Sequence, residues 1–370
     1  MEAGLAEELR RTWLVSLIGL LLFSAGLLLI GWNELRAVHR HNTLDVMHLE
    51  TVSIDPDDQW LQENDGKLIH LTGNLVINEP LTDPEYGVAV AAARLKRRVQ
   101  MFQWVENYAS QSDDVEPSSQ DMHGKDYYYV TEWRDKLVDS SSFYIRQGHE
   151  NPTKMPIKTQ IYTSASARVG QIKLSSELLE KFKQFEVISG DQRPDRDDIK
   201  LHLGIYYHCR DVFNPEVGDI RIQFYYAGAH DEPVSIVAKH EKGWLVAHKT
   251  TNGQKLALVE SGTLNKDQIF AAAHKDVRIF TWMLRFLSAF TFYAATLCWC
   301  GLLKIIFNKV PGLENLLSGS PHDFNNFLFA ASLDLFFVSL VWIIYRPVLG
   351  ASLIFASLSP LLYSILGEYR

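Results

Sequence analysis

The chain has 370 residues, 36 Lys and Arg against 44 Asp and Glu, a formal net charge of −8 and three cysteines. A net-acidic chain makes a poor ligand for nucleic acid, and so few cysteines exclude a disulfide-rich scaffold. The length allows two domains.

The apolar residues are gathered into four runs. Residues 14–32 carry no charge, 286–303 none, 327–345 only Asp334, and 348–366 none. At ~1.5 Å rise per residue, runs of this length match a hydrocarbon core of roughly 30 Å. Trp13, Trp32, Trp282, Trp299, Trp342 and Tyr345 lie mostly near their ends, where interfacial aromatics belong. The sequence therefore predicts an α+β membrane protein with four transmembrane helices at 14–32, 286–303, 327–345 and 348–366. A short N-terminus (1–13), a 304–326 loop and a large inserted domain (33–275) complete the plan. The first run is too long for a cleaved signal peptide and has no small-residue cleavage site after Trp32, so an uncleaved anchor is expected.

Residues 33–275 hold 28 Lys and Arg against 36 Asp and Glu, and so carry the whole net charge. Charge bias does not orient the spans. Arg10, Arg11, Lys304, Lys309 and Arg370 flank them on one side; Arg36, Arg40, Lys266, Lys275, Arg278, Arg285 and Arg346 flank them on the other. Long inserts translocate largely regardless of charge. The insert has one cysteine, Cys209, and its Asn151-Pro152-Thr153 is barred from glycosylation by the proline.

Residues 33–60 continue from the first span as a partly helical segment. GKLIHLTGNLVI then alternates as a strand, with Gly73 at a bulge or close approach. TDPEYG is turn chemistry around Pro84 and Gly87. RLKRRVQMFQWVE, residues 94–106, resembles a nuclear-import patch but alternates as a strand. Leu95, Val99, Met101 and Val105 share one face; Arg98, Gln100, Phe102 and Trp104 share the other, and the cations are expected to meet the domain's own carboxylates. A polar loop at 107–126 leads to a return strand, YYYVTEW, giving a hairpin. Residues 174–187 switch to helical spacing through Leu178, Leu179, Phe182 and Phe185, with Ser175 as N-cap. LHLGIYYH, DIRIQFYYAG, VSIVAKH, GWLVAHK and QKLALVE follow as strands. Asn265-x-x-Gln268 is a capping box opening the helix that leads into the second span.

The sequence has no nucleophile elbow, zinc-protease helix, phosphate loop or dinucleotide fingerprint, and no cofactor is expected. His202, His208 and Cys209 on one strand make a weak metal motif. Asp191, Asp195, Asp197 and Asp198 lack the glycine and glutamate of a calcium loop. Asp334, inside a span, costs about 2.5–3.5 kcal/mol unless paired, and Thr296 and Lys304 are its candidate partners. An interhelical hydrogen bond is favoured over an ion or proton relay, which needs several polar groups at depth. Cys298 and Cys300 at a span end are either palmitoylation sites or small buried residues.

The order GKLIHLTGNL, LTDPEYGV, RLKRRVQMFQWVE, TEWRDKLVDSSSF, GHENPTKMP and NPEVGDIRIQF, with Trp282-x-x-Arg285 and Tyr345-Arg346-Pro347, resembles the LUMA (transmembrane protein 43) family. Gly73, Gly87, Gln103, Trp104, Trp133, Pro215, Gly218, Asp219, Arg221, Arg346 and Pro347 are the matching structural positions. The resemblance implies residence in the endoplasmic reticulum and inner nuclear membranes, with a lumenal insert and termini on the cytosolic or nucleoplasmic side. It also implies a non-enzymatic scaffold of the nuclear envelope that associates with emerin, lamins and itself. It supplies no catalytic residues and requires no acid at 334. The alternatives are a channel or transporter subunit using Asp334, and a lumenal enzyme of unknown reaction.

Overall fold

The computed structural model describes residues 5–55, 63–110, 125–190, 196–250, 253, 255–310, 313, 316, 324–359 and 362. Among these are six α-helices: α1 Leu5–Arg11, α2 Trp13–Glu50, α3 Ser176–Leu179, α4 Lys266–Phe307, α5 Phe324–Tyr345 and α6 Pro347–Ser357. The chain divides into two compact units, residues 1–49 with 270–370, and residues 50–269.

In the first unit, α2, α4 and α5 are long and apolar enough to cross a membrane. The fourth predicted span is described only as the 11-residue α6; positions 360, 361 and 363–366 lie outside the described residues. Among the described residues, the four predicted spans are thus met by three long apolar helices and one short apolar helix. The break before α6 is local chemistry. Pro347 lacks the N–H that would continue α5, and instead takes the first position of a new helix. Gly350 then lies so close to α5 that a Cβ there would be 2.5 Å from the Ile343 nitrogen.

Helix α2 does not stop at Trp32. Residues 33–50 contain no glycine or proline, so nothing ends the helix at the edge of the apolar run. Its buried face continues through Asn33, Glu34, Ala37, Leu44 and Met47, a seam at helical spacing. Helix α4 covers that seam, with His41 stacked on His274 and His48 against Phe270. Deeper in the apolar runs, Gly26 lets α2 approach α4; a Cβ there would be 2.8 Å from Thr291 Oγ1. Phe23 packs on Phe292, and Phe292 stacks on Phe337 of α5.

The second unit is built on two sheets. In one, strand Leu68–Ile77 pairs with Ala167–Val169, which pairs with Ile172–Leu174, then Trp244–Val246, then Pro233–Glu241. Pro233–Glu241 pairs back on Leu68–Ile77, closing a five-strand ring. Closure leaves these strands no free ladder between them. Ile69, Leu71, Leu75, Val169, Val234 and Ile236 form its core. Gly73 stands opposite Val234 in unbroken register, which excludes the bulge of its two expected readings; both neighbours, Thr72 and Asn74, keep their partners.

The other sheet runs Lys200–His202, Ile205–His208, Ile220–Ala229, Ala92–Ser110, Lys125–Arg134. Its spine is the 19-residue strand Ala92–Ser110, whose hairpin with Lys125–Arg134 is continuous from Met101 to Ser110. Leu95, Val99 and Met101 are fully buried, and Val105 nearly so, as the alternation predicts.

Two local expectations fail. The helix over 174–187 shrinks to the single turn of α3, and Ser175 makes no side-chain cap. Phe182 still reaches the core, but Glu186–Ile188 pairs with Phe224–Tyr226 as a strand. The ladder of Ile220–Ala229 outweighs a helical pattern too short to be stable alone. LHLGIYYH is a hairpin, not one strand. Leu203 and Gly204 both take left-handed backbone at its tip, the geometry of a tight two-residue turn. His202 and His208 therefore fall on different strands. The capping box, by contrast, closes in both directions. Gln268 N donates to Asn265 Oδ1 at 2.8 Å, and Asn265 N donates to Gln268 Oε1 at 3.0 Å.

Candidate functional site

Two constellations gather the residues singled out by the sequence, one in each unit. In the helical unit, Glu34 of α2 is fully buried. Arg285 of α4 meets it in a two-pronged pair, Nε to Oε1 and one terminal nitrogen to Oε2, both at 2.7 Å. Trp342 of α5 donates its indole N–H to Glu34 Oε2 at 2.8 Å. Asn33 donates to Glu34 Oε1 at 3.3 Å and to the Thr281 carbonyl at 3.1 Å. One carboxylate thus collects donors from three helices. The Arg285 guanidinium also lies 4.9 Å over the Trp282 ring.

Asp334 is one step away in the same group. Ser288 Oγ lies 2.7 Å from Asp334 Oδ1 and 2.8 Å from the Arg285 carbonyl. Thr296 instead donates to Phe292 O of its own helix, and the hydrogen bond to Asp334 reaches neither it nor Lys304. Arg346 and Pro347 form the α5–α6 turn just beyond Trp342.

The sequence continues the helix in part beyond Trp32, as α2 does, but assigns Glu34 no partner. A signal did exist. Glu34 follows the first apolar run by two residues and Arg285 precedes the second by one, which places them at one depth on antiparallel neighbours.

In the strand-rich unit, the motif residues converge on the spine at 100–104. Arg221 Nε donates to Gln100 Oε1 at 2.8 Å, and its guanidinium lies 4.8 Å over Trp133. Trp133 packs against Phe102. Strand Ile220–Ala229 leaves the spine at Met101. The turn containing Pro215 and Gly218 then takes over the exposed edge. Phe102 N donates to Asp219 O at 2.8 Å, and Gly218 N donates to Phe102 O at 2.9 Å. Gly218 sits at φ +104, a conformation costly for any other residue. The Asp219 carboxylate closes this turn by accepting from Glu216 N at 2.7 Å.

One step further, Asn151 replaces a whole strand. Its side chain accepts from Trp104 N at 2.8 Å and donates to Trp104 O at 2.9 Å. In the sequence Asn151 shows only as a blocked sequon, and nothing local signals this role. Gln103, fully buried on the core face, spans outward: Nε2 donates to Lys136 O at 3.0 Å, and Oε1 accepts from Val138 N at 2.8 Å. Replacing Gln103 with Leu leaves both backbone groups unpaired and is expected to destabilise the unit by about 1–3 kcal/mol. Faster hydrogen exchange at Val138 in the full chain checks this.

The four cations of the 94–98 stretch have separate fates. Arg97 turns inward to Asp83 at 3.0 Å and Glu85 at 3.4 Å. Arg98 grips Asp135 at 2.8 Å and holds that carboxyl below its ordinary range. Arg94 donates to the carbonyls of Glu180 and Phe182. Lys96 lies over the rings of Phe185 and Tyr225. Gly87, at φ +67, makes the turn that delivers Asp83 and Glu85.

His208 accepts from the Tyr86 hydroxyl through Nε2 at 3.0 Å, which leaves the Nδ1 proton facing Asp198 at 3.5 Å. Burial lowers the His208 pKa and also that of His70. The unfolded chain then binds more protons than the folded one, so stability falls as pH drops through about 6.5. Melting temperature is expected to decrease from pH 7.5 to 5.5, and less so in His208→Phe. Among the described residues, no group of three His, Cys, Asp or Glu is placed to hold a metal.

Comparison with known proteins covers nearly the whole chain. A family model described as Transmembrane protein 43 matches residues 101–347. The chain is 38% identical over 360 residues to the Transmembrane protein 43 homolog of Drosophila melanogaster, covering 97% of this chain and 96% of that protein. It is 30% identical over 370 residues to Transmembrane protein 43 of Homo sapiens, covering 98% and 92%. The same identity and coverage hold for the Rattus norvegicus protein. No solved structure matches.

Proposed function

The chain belongs to the transmembrane protein 43 family, and from that premise we propose a non-enzymatic multi-pass scaffold of the endoplasmic reticulum and inner nuclear membranes. Residues 50–269 face the lumen or perinuclear space, and the termini and the 304–326 loop face the cytosol or nucleoplasm. The scaffold contributes to nuclear-envelope organisation by associating with emerin, lamins and further copies of itself. Lamins lie across the membrane from the strand-rich domain, so contact with them uses the spans, the loop or the termini.

The observation that carries a scaffold over a pathway is the engagement of the buried charges. Glu34 is closed by donors from three helices, and Asp334 is held by Ser288. Groups fastened in this way hold helices together; a relay needs exchangeable partners along the membrane. The test is expression of the tagged full chain in cells. Expected are labelling of the nuclear rim and reticulum, and recovery of emerin and lamins above an unrelated reticulum membrane protein. Plasma-membrane residence, or recovery no better than that control, overturns the reading.

A further inference from the structure

Two cavities in the helical unit share a rim and differ in chemistry. The larger, about 750 Å³, runs between α4, α5 and α6, and its wall is apolar apart from Arg285, Asp334 and Arg346. From Phe327 to Trp342 it follows α5 for 15 residues, roughly 22 Å of helix rise. Phe286 and Phe290, 69% and 65% exposed, edge it on α4. The smaller, about 300 Å³, adjoins it through Trp282, Arg285, Trp342 and Arg346. Its wall carries three arginines, Arg278, Arg285 and Arg346, with His41, Asn42 and Tyr345, and no carboxylate.

Arg285 is committed to Glu34. Among the described residues, neither Arg278 nor Arg346 stands in a salt bridge; the Arg346 guanidinium rests over the Trp342 ring at 5.7 Å. A slot long enough for an extended hydrocarbon chain thus ends in two uncommitted cations and several neutral donors, ringed by tryptophans at interfacial positions. That pairing of shape and charge is complementary to a diacyl lipid with an anionic headgroup. A transmembrane helix of another protein would match the apolar slot but leave the cations unanswered.

We propose that this paired cavity is a binding site for an anionic glycerophospholipid, with an acyl chain in the α4–α5–α6 groove and the phosphate at Arg346 and Arg278. The site rests only on these helices lying in a bilayer, and is independent of the scaffold reading.

The test is native mass spectrometry of the purified full chain, offered phosphatidylserine and phosphatidylcholine with identical acyl chains. Wild type is expected to retain phosphatidylserine preferentially. Arg346→Gln, at an exposed side chain, is expected to reduce that preference about fivefold, and Arg346→Lys to keep most of it. Ala331→Phe, which fills the groove, is expected to reduce retention of both lipids. Glycerophosphoserine, the headgroup without chains, is expected not to compete. Equal retention of the two lipids by wild type, an unchanged preference in Arg346→Gln, or displacement by glycerophosphoserine overturns the proposal. If Ala331→Phe fails to fold, the Gln and Lys variants of Arg346 decide the matter alone.

Discussion

Replacing Glu34 with Ala is expected to destabilise the helical unit by about 3–5 kcal/mol, because it leaves the Arg285 cation without its carboxylate among packed helices. Glu34 is fully enclosed and the Arg285 side chain is 17% exposed, so water cannot fully replace the lost partner. The same substitution removes the acceptor of the Trp342 indole and releases Asn33. Three helices lose a common fastening at once. The measurement is the melting temperature of the full chain in detergent. The double variant Glu34→Leu with Arg285→Met is expected to recover most of the loss, since an apolar pair of similar volume removes both desolvation costs together. A Glu34→Ala protein that melts like wild type would show that the pair contributes little.

The second large effect lies in the strand-rich unit. Asp83 is 2% exposed and Arg97 12%, and the two meet beneath the turn made by Gly87. Asp83→Ala leaves Arg97 on the core face of the spine strand, beside Leu95 and Val99. The expected cost is again about 3–5 kcal/mol. Glu85, 3.4 Å from Arg97 and more exposed, supplies only part of the compensation. Hydrogen exchange along Ala92–Ser110 is expected to speed up in this variant while the ring containing Leu68–Ile77 stays protected. Uniform exchange across both sheets would mean that the two sheets unfold as one.

What could be read from the sequence follows the range of the physics involved. Period-two alternation is local, and it correctly placed Leu95, Val99 and Met101 in the core. The capping box is local too, and Asn265 and Gln268 bond reciprocally. The apolar runs revealed membrane helices because 18 or 19 residues of one character leave few alternatives. They did not reveal where α2 ends, since a helix stops at a helix-breaking signal rather than where polarity changes. Hence the apolar run ends at Trp32 and the helix, expected to continue in part through 33–60, ends at Glu50, while the partner of Glu34 is not legible.

Long-range effects were the least legible. The 174–187 segment has helical spacing, but its C-terminal part is taken by an edge of the sheet, which no local pattern announces. Gly73 invited a bulge, yet the ring closure across Pro233–Glu241 keeps it in register. The partner of Asp334 lies on another helix and is set by how α4 and α5 pack, which no local pattern announces. Asp334 meets Ser288, while Thr296 bonds within its own helix. Asn151, next to a proline in a sequon that cannot be used, looked like a negative result. It serves as a surrogate strand at the point where Ile220–Ala229 departs.

The 94–98 stretch shows the same lesson in its charges. Sequence resemblance alone suggests an import signal, whereas the alternation predicts a strand whose cations are consumed internally. Two of them do meet carboxylates, and the other two take backbone carbonyls and aromatic faces. Cations committed in this way are not available to an import receptor on either side of a membrane.

The side of the membrane on which this domain resides is the central claim, and one substitution tests it. Pro117→Asn creates an Asn-Ser-Ser acceptor between the two strands of the long hairpin, in a chain whose Asn151-Pro152-Thr153 is already barred. The full chain expressed in cells is expected to gain one glycan, removable by endoglycosidase H, with no change in the wild type. An unmodified Pro117→Asn chain, with the same segment digested by protease added outside intact microsomes, would place the domain in the cytosol and contradict the account.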